Sequence, residues 1–424
     1  MWAFVFSLII IITLFLTRAK FGTIKKVNVI FTLIWCGTCF ISALDILGLR
    51  MPGDITFLLM AMFCVFFNIF FFMFSKRKYE ESCIEILNYD IICSNLQVIN
   101  FLIYVWLIPL MMKSVKVLIA SGLISNVRMN AYFDENASMF FTYFMKVIPM
   151  GIINVLVLVW VFLQVYAGQK NTKIWMMIML DVLVITFVSG GRYVFLTLIF
   201  SYILSILYLK PQFNIKFKIR YLIIPVALLV LITSLRGGKF FQQAFRYFCG
   251  SVSFFDLALS NPDVFALNDK MYGAMTFGAI LEPIVLFLKV LGMDLEVPSY
   301  YFNIVGQRFY DIGATSTVLF NNNTSILYYF IRDFGYVGIF IGAILAAKII
   351  TKYQNKAEYS RTLSPLFVFF FFSIVLFQSI MTYSCFSFSG TVQLLSIIII
   401  GKCIKVEHHY AGDNTISTEL DKFQ

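Results

Sequence analysis

Arg332 and Asp333 stand side by side in the densest polar stretch of an otherwise apolar sequence, Asn321-Asn322-Asn323-Thr324-Ser325 followed by Tyr328, Tyr329, Arg332, Asp333, Phe334 and Gly335. At helical spacing Thr324, Tyr328 and Arg332 share one face, and Tyr329 and Asp333 share the next. Thr324 or Ser325 is placed to cap that helix. A stripe of hydroxyls, guanidinium and carboxylate suits a sugar diphosphate. Four more arginines extend the pattern: Arg192 follows Gly190-Gly191, Arg236 precedes Gly237-Gly238-Lys239, and Arg246 and Arg308 lie further on. A guanidinium grips phosphate oxygens through paired N–H donors and keeps its charge, and glycines beside it let backbone N–H groups reach the same anion. A reaction that releases a phosphate or diphosphate leaves negative charge on the departing group, which fixed arginines stabilise. The attacking hydroxyl calls for a base, and Asp256, Asp311 and Asp333 are candidates with none ahead of the others. The plain structural alternative makes the arginines span-end anchors that reach to lipid headgroups, with Arg332 and Asp333 a neutralised pair.

Other chemistries find less support. The chain has two histidines, His408 and His409, adjacent near the C-terminus. No HxxxH and no Cys/His ladder occurs, so zinc-type ligand spacing is missing and no cofactor is implied. Cys36 and Cys39 form the string CGTC in the middle of an apolar run, where small-residue packing is the simpler reading than redox chemistry. Asn322-Asn323-Thr324 and Asp333-Phe334-Gly335 match a glycosylation sequon and a kinase tripeptide, but neither has its context. Asp181 lies inside an apolar run; it is either a proton relay or a structural partner to a neighbouring helix. Lys146, Glu282 and Asp45 carry weaker versions of the same question.

The elements that must position these residues follow from composition. Of 424 residues 60% are hydrophobic and 13% charged, and 49 are Phe. A soluble domain carries about 25% charged residues, so lipid must cover much of this chain. Eleven apolar runs approach the length of about 20 residues that a span needs: 2–16, 27–48, 55–74, 91–112, 140–164, 174–189, 193–209, 221–235, 325–347, 363–382 and 385–401. The first lacks a basic n-region and reads as a retained span, not a signal peptide. Of the 33 Lys and Arg residues, 20 fall in one alternating set of loops and in the tail. By the positive-inside rule that set is cytoplasmic, the N-terminus is outside and the C-terminus inside. The net charge of +11 therefore belongs to membrane-surface anchoring, and no nucleic-acid partner is expected.

The expected architecture is an all-α polytopic membrane protein: eight transmembrane helices in 1–235, one large extracytoplasmic loop at 236–324, three transmembrane helices in 325–401 and a cytoplasmic tail at 402–424. A loop of that length without a function is uncommon. Phe240, Phe241, Phe245, Tyr247, Phe248, Phe254 and Phe255 crowd its start, as an interfacial helix would. The apolar stretch 271–291, interrupted by Glu282-Pro283, reads as a re-entrant or surface helix, with two extra spans the alternative.

A span ending in Ser189-Gly190-Gly191-Arg192, a large outer loop late in the chain, and a helix carrying Asn-Thr, Tyr, Asp333-Phe334-Gly335 and Gly338 resemble the oligosaccharide repeat unit polymerases, the O-antigen and capsular polymerases of the Wzy type. The architecture of most of the chain shares in the resemblance, and its sharp residues lie at 189–192 and 321–338. It implies a metal-independent glycosyltransferase of the bacterial cytoplasmic membrane whose substrates are undecaprenyl diphosphate-linked oligosaccharides, with membrane lipid and a chain-length regulator protein as partners. It also implies substrate binding by outer arginines, carried onto Arg192 and Arg332 by motif and onto Arg236 by position. An Arg-x10-Gly loop motif of some members is absent after Arg192 and after Arg236. Two rival classes stay open. A lipid-linked oligosaccharide flippase would line a central cavity with charge, and an O-antigen ligase would pass the glycan to another acceptor.

Overall fold

The computed structural model describes residues 1–76, 82–121, 141–168, 171–189, 193–209, 240–306, 308–320 and 324–410. The expected span at 221–235, Arg192, Arg236 and Asn321–Asn323 lie outside the described residues. The chain is all-α, with 14 α-helices among them. The first seven are α1 Trp2–Phe21, α2 Val27–Ser42, α3 Asp54–Phe74, α4 Tyr89–Ser121, α5 Ile148–Tyr166 (entered through a π-helical turn, Phe141–Val147), α6 Thr172–Ser189 and α7 Tyr193–Leu209. The long connection supplies α8 Phe240–Ser260, α9 Gly278–Val290 and α10 Pro298–Gly306, and the chain closes with α11 Ile326–Phe334, α12 Val337–Ala357, α13 Ser364–Gln378 and α14 Phe388–Cys403.

Among the described residues six helices are long and apolar enough to cross a bilayer: α1, α3, α4, α5 with its entry turn, α6 and α12. Four more, α2, α7, α13 and α14, are apolar but of 10–17 residues. At 1.5 Å per residue such helices reach about 25 Å, slightly under the hydrocarbon thickness. The chain is a multi-pass membrane protein.

The expected span at 325–347 is corrected. It is two helices, α11 and α12, broken at Gly335 with φ 65° and ψ −161°, a backbone conformation essentially open to glycine alone. At Gly338 a side chain would overlap the Phe330 carbonyl, so α12 turns back tightly over α11. The crossing helix runs from Val337 to Ala357, and Arg332 sits in a short helix in front of it, not two turns inside a span.

Polar pairs link the apolar helices where lipid offers no hydrophobic drive between them. Asn28 donates to Thr17 Oγ1 (2.9 Å) and Asn68 Oδ1 (3.1 Å), and Asn68 donates to Thr32 Oγ1 (2.9 Å), tying α1, α2 and α3. The abundance of Phe has a packing role: Phe31, Trp35, Phe63 and Phe67 interlock with centroids 4.5–5.9 Å apart, the distance at which aromatic rings attract beyond their area.

The two ends of the bundle differ. At the end carrying most basic loops, strand β1 Ser82–Ile86 pairs antiparallel with β4 Val406–Tyr410. The Ile86 N–H donates to Tyr166 (3.1 Å), the Leu363 N–H to Ile404 (3.1 Å), and the Lys20 ammonium to the Phe72 carbonyl. At the opposite end the long connection is strapped over the turn between α2 and α3. The Arg50 N–H donates to Ile312 (2.7 Å) and the Ser253 hydroxyl to Arg50 O (2.8 Å). Phe254 and Phe255 of α8 are buried in protein. They serve the core of this layer rather than a lipid surface. A two-residue hairpin, β2 Tyr310–Asp311 with β3 Leu319–Phe320, completes it.

Candidate functional site

Ser325 starts α11 by accepting from the Leu327 N–H (3.3 Å). Gly335 ends the helix two and a half turns on. Every residue from Ile326 to Asp333 is buried, so the polar groups of this helix face protein on all sides. Tyr328 donates to the Phe265 carbonyl (2.8 Å) and accepts from Arg332 Nη1 (3.2 Å), while the same nitrogen donates to the Tyr301 carbonyl (3.1 Å). Arg332 is 2% exposed, and its Nε has no partner. No carboxylate pairs with it among the described residues. A guanidinium buried this deeply without an anion is an uncompensated charge that a bound anion would neutralise.

Asp333 does not pair with Arg332. One helical step turns it to the other side, where Oδ1 accepts from the Met275 N–H (3.1 Å) and Oδ2 from the Thr276 N–H (2.5 Å). It caps the turn that leads into α9. Lys270 and the Met271 N–H satisfy the last carbonyls of α11 at Ile331 and Arg332. Asp256 also binds backbone: Oδ1 accepts from the Gly53 N–H and the Thr56 hydroxyl, both at 2.7 Å, and Arg50 lies 3.7 Å from Oδ2. It caps α3 from across the fold. Asp311 is exposed, and its carboxylate accepts from the Gly313 (2.9 Å) and Val318 (2.8 Å) N–H groups. Those two hydrogen bonds hold it below the usual carboxylate range.

Ring contacts draw α8 and α11 together. Tyr247 of α8 meets Phe320 at 6.4 Å, and Phe254 meets Tyr310 at 5.7 Å. Tyr310 packs on Phe265 at 4.6 Å, and the Phe265 carbonyl accepts from Tyr328. Tyr329 stacks on Phe302 at 5.2 Å and meets Tyr383 at 5.6 Å. The middle of α8 and α11 therefore share one tyrosine-rich layer. Arg246, beside Tyr247, is half-buried with its Nε unpartnered. Arg308 is exposed, two residues before Tyr310, and makes no side-chain hydrogen bond among the described residues. No family model matches the chain, and no curated protein or solved structure matches it.

Two buried carboxyls complete the picture. Asp181 on α6 accepts from Asn100 and from the Tyr104 hydroxyl (2.5 Å), and Asn100 accepts from Trp160 Nε1 (2.7 Å). This network joins α4, α5 and α6, and Asp181 Oδ2 is left buried without a hydrogen-bond partner. Glu282 on α9 is 1% exposed. Its Oε1 accepts from the hydroxyls of Tyr143 (2.8 Å) and Ser299 (2.7 Å), and its Oε2 from the Phe388 N–H (3.1 Å). The visible signal for Glu282 was a carboxylate inside an apolar run. Nothing in the sequence marked Tyr143, Ser299 or the Tyr301 carbonyl, because each meets its partner through long-range packing. Among the described residues no group of three His, Cys, Asp or Glu could hold a metal ion.

Proposed function

We propose that this protein is a polymerase that joins undecaprenyl diphosphate-linked oligosaccharide repeat units into O-antigen or capsular polysaccharide at the outer face of the bacterial cytoplasmic membrane. The observation that carries the reading is the buried Arg332, which has no carboxylate partner among the described residues. Its helix starts against the end of α13 away from the basic loops, where the Ile326 N–H donates to the Ser379 carbonyl. The charge of a lipid diphosphate is the complement the guanidinium lacks. At least two of Arg192, Arg236 and Arg332 hold the donor diphosphate and stabilise it as the glycosyl–phosphate bond breaks. A chain-length regulator protein is the expected partner in the membrane.

The direct experiment is reconstitution. Purified protein in liposomes, given a lipid diphosphate-linked repeat unit, is expected to build a ladder of longer glycans. EDTA is expected to leave that ladder intact, since fixed arginine charge takes the place of a divalent ion. Loss of the ladder with EDTA and its return with a divalent metal would refute metal independence. Absence of any ladder without chelator would refute the polymerase reading.

Orientation is tested separately. A reporter fused between Lys348 and Arg361 is expected to read cytoplasmic, and one between Asn261 and Asp269 extracytoplasmic, from the distribution of Lys and Arg. The reverse result at both positions would put Arg332 at the wrong leaflet.

A further inference from the structure

The two faces of α9 have opposite surroundings. Phe277, Ile280, Ile284, Phe287 and Leu291 are exposed along one side, at the spacing of a single helical stripe. The other side meets the start of α14 so closely that a side chain at Gly278 would overlap the Phe386 carbonyl. Glu282 lies on this inner side. A helix with one apolar face, packed at the end of a membrane bundle, rests at the lipid interface. Its inner carboxyl is buried in protein.

Tying α9, α10, α14 and the Tyr143 turn together does not require a carboxylate. A buried carboxylate without a cation costs several kcal/mol, and all the groups bonded to Glu282 are neutral. Burial raises its proton affinity, with the hydrogen bonds from Ser299, Tyr143 and the Phe388 N–H pulling it back. A carboxylate whose proton affinity is raised toward the working pH is a better proton acceptor than an ordinary one. The Ser299 hydroxyl on Oε1 lies two residues along α10 from Tyr301, whose carbonyl accepts from Arg332. A single turn of α10 therefore connects the buried carboxyl to the buried guanidinium.

We propose that Glu282, acting through the Ser299 hydroxyl, receives the proton of the acceptor sugar during glycosyl transfer. This rests on the polymerase reading above. The acceptor oxygen forms a bond to the anomeric carbon of the donor. The bond from that carbon to the diphosphate breaks, and its electron pair leaves with the lipid diphosphate beside Arg332. The acceptor proton moves to Ser299 Oγ as Ser299 passes its own to Glu282 Oε1. Solvent takes the proton before the next cycle. Glu282 is thus a positioning and proton-holding residue.

The test is turnover by reconstituted protein with a lipid diphosphate-linked repeat unit. Glu282→Gln and Ser299→Ala are each expected to lower kcat by about 100- to 10,000-fold, the usual contribution of acid–base catalysis. KM for the donor is expected to stay within about threefold, because the diphosphate contacts are untouched. The double variant is expected to be no worse than either single one. A merely structural role would lower protein yield and affinity together instead. Should Glu282→Gln fail to accumulate, Ser299→Ala decides alone, since it deletes one oxygen. Turnover within tenfold of wild type in Ser299→Ala, or in a well-folded Glu282→Gln, overturns the proposal and leaves the polymerase reading standing. A wild-type protein that makes no polymer overturns both.

Discussion

Arg332→Ala is expected to stop chain growth while the protein still accumulates in the membrane, so that cells make single repeat units and no long glycans. Loss of a charged donor from a water-poor site costs about 2–4 kcal/mol of transition-state stabilisation, hence about 30- to 1000-fold in rate. The structure explains why the level should hold. Arg332 gives hydrogen bonds to the Tyr301 carbonyl and the Tyr328 hydroxyl, and neither partner is a charge that its removal would strand. Tyr328 keeps its bond to Phe265. Arg332→Lys retains the charge without the planar fork and is expected to restore activity only in part. The measurement is glycan length by electrophoresis with membrane protein level in parallel. A well-expressed Ala variant that still builds full-length polymer would reduce Arg332 to a structural residue.

Asp333→Ala is expected to do the opposite: it removes the protein. Both carboxylate oxygens accept from buried N–H groups, those of Met275 and Thr276. Each donor left buried and unpaired costs about 1–3 kcal/mol, or about 2–6 kcal/mol together. Against a typical stability of about 5–15 kcal/mol this is a large share. Asp333→Asn keeps one acceptor oxygen and is expected to lose about half as much. Membrane protein level and the melting temperature in detergent are the readouts. If Asp333 were the catalytic base, the Ala variant would instead be stable and inactive, and that result would overturn the capping role. Neighbours in sequence thus have separate fates, because one step of about 100° around a helix sends them to different surroundings.

The same contrast divides what the sequence determined from what tertiary structure decided. Hydropathy is a local property, so the positions of α1 to α7, α13 and α14 could be read from runs of apolar residues, as could a long connection carrying helices near 240–260 and 278–290. The break at Gly335 was not legible as a break. An apolar run hides a reversal that depends on one glycine conformation and on the close approach allowed at Gly338. Arg332 and Tyr328 were legible as sharing a face, since that follows from a spacing of four, and they do hydrogen-bond. The occupations of Asp256, Asp311 and Asp333 were not legible. Each accepts from backbone N–H groups, which every residue but proline carries and which therefore leave no mark in the sequence. Asp256 reaches Gly53 from some 203 positions away. Pairing of the 82–86 segment with 406–410 is hidden for the same reason. Composition decides that this chain lives in lipid, because solvent acts on every residue separately. Which buried charge is left without a partner depends on where distant segments meet, and only the folded chain brings Arg332 to Tyr301 and Glu282 to Ser299, Tyr143 and Phe388.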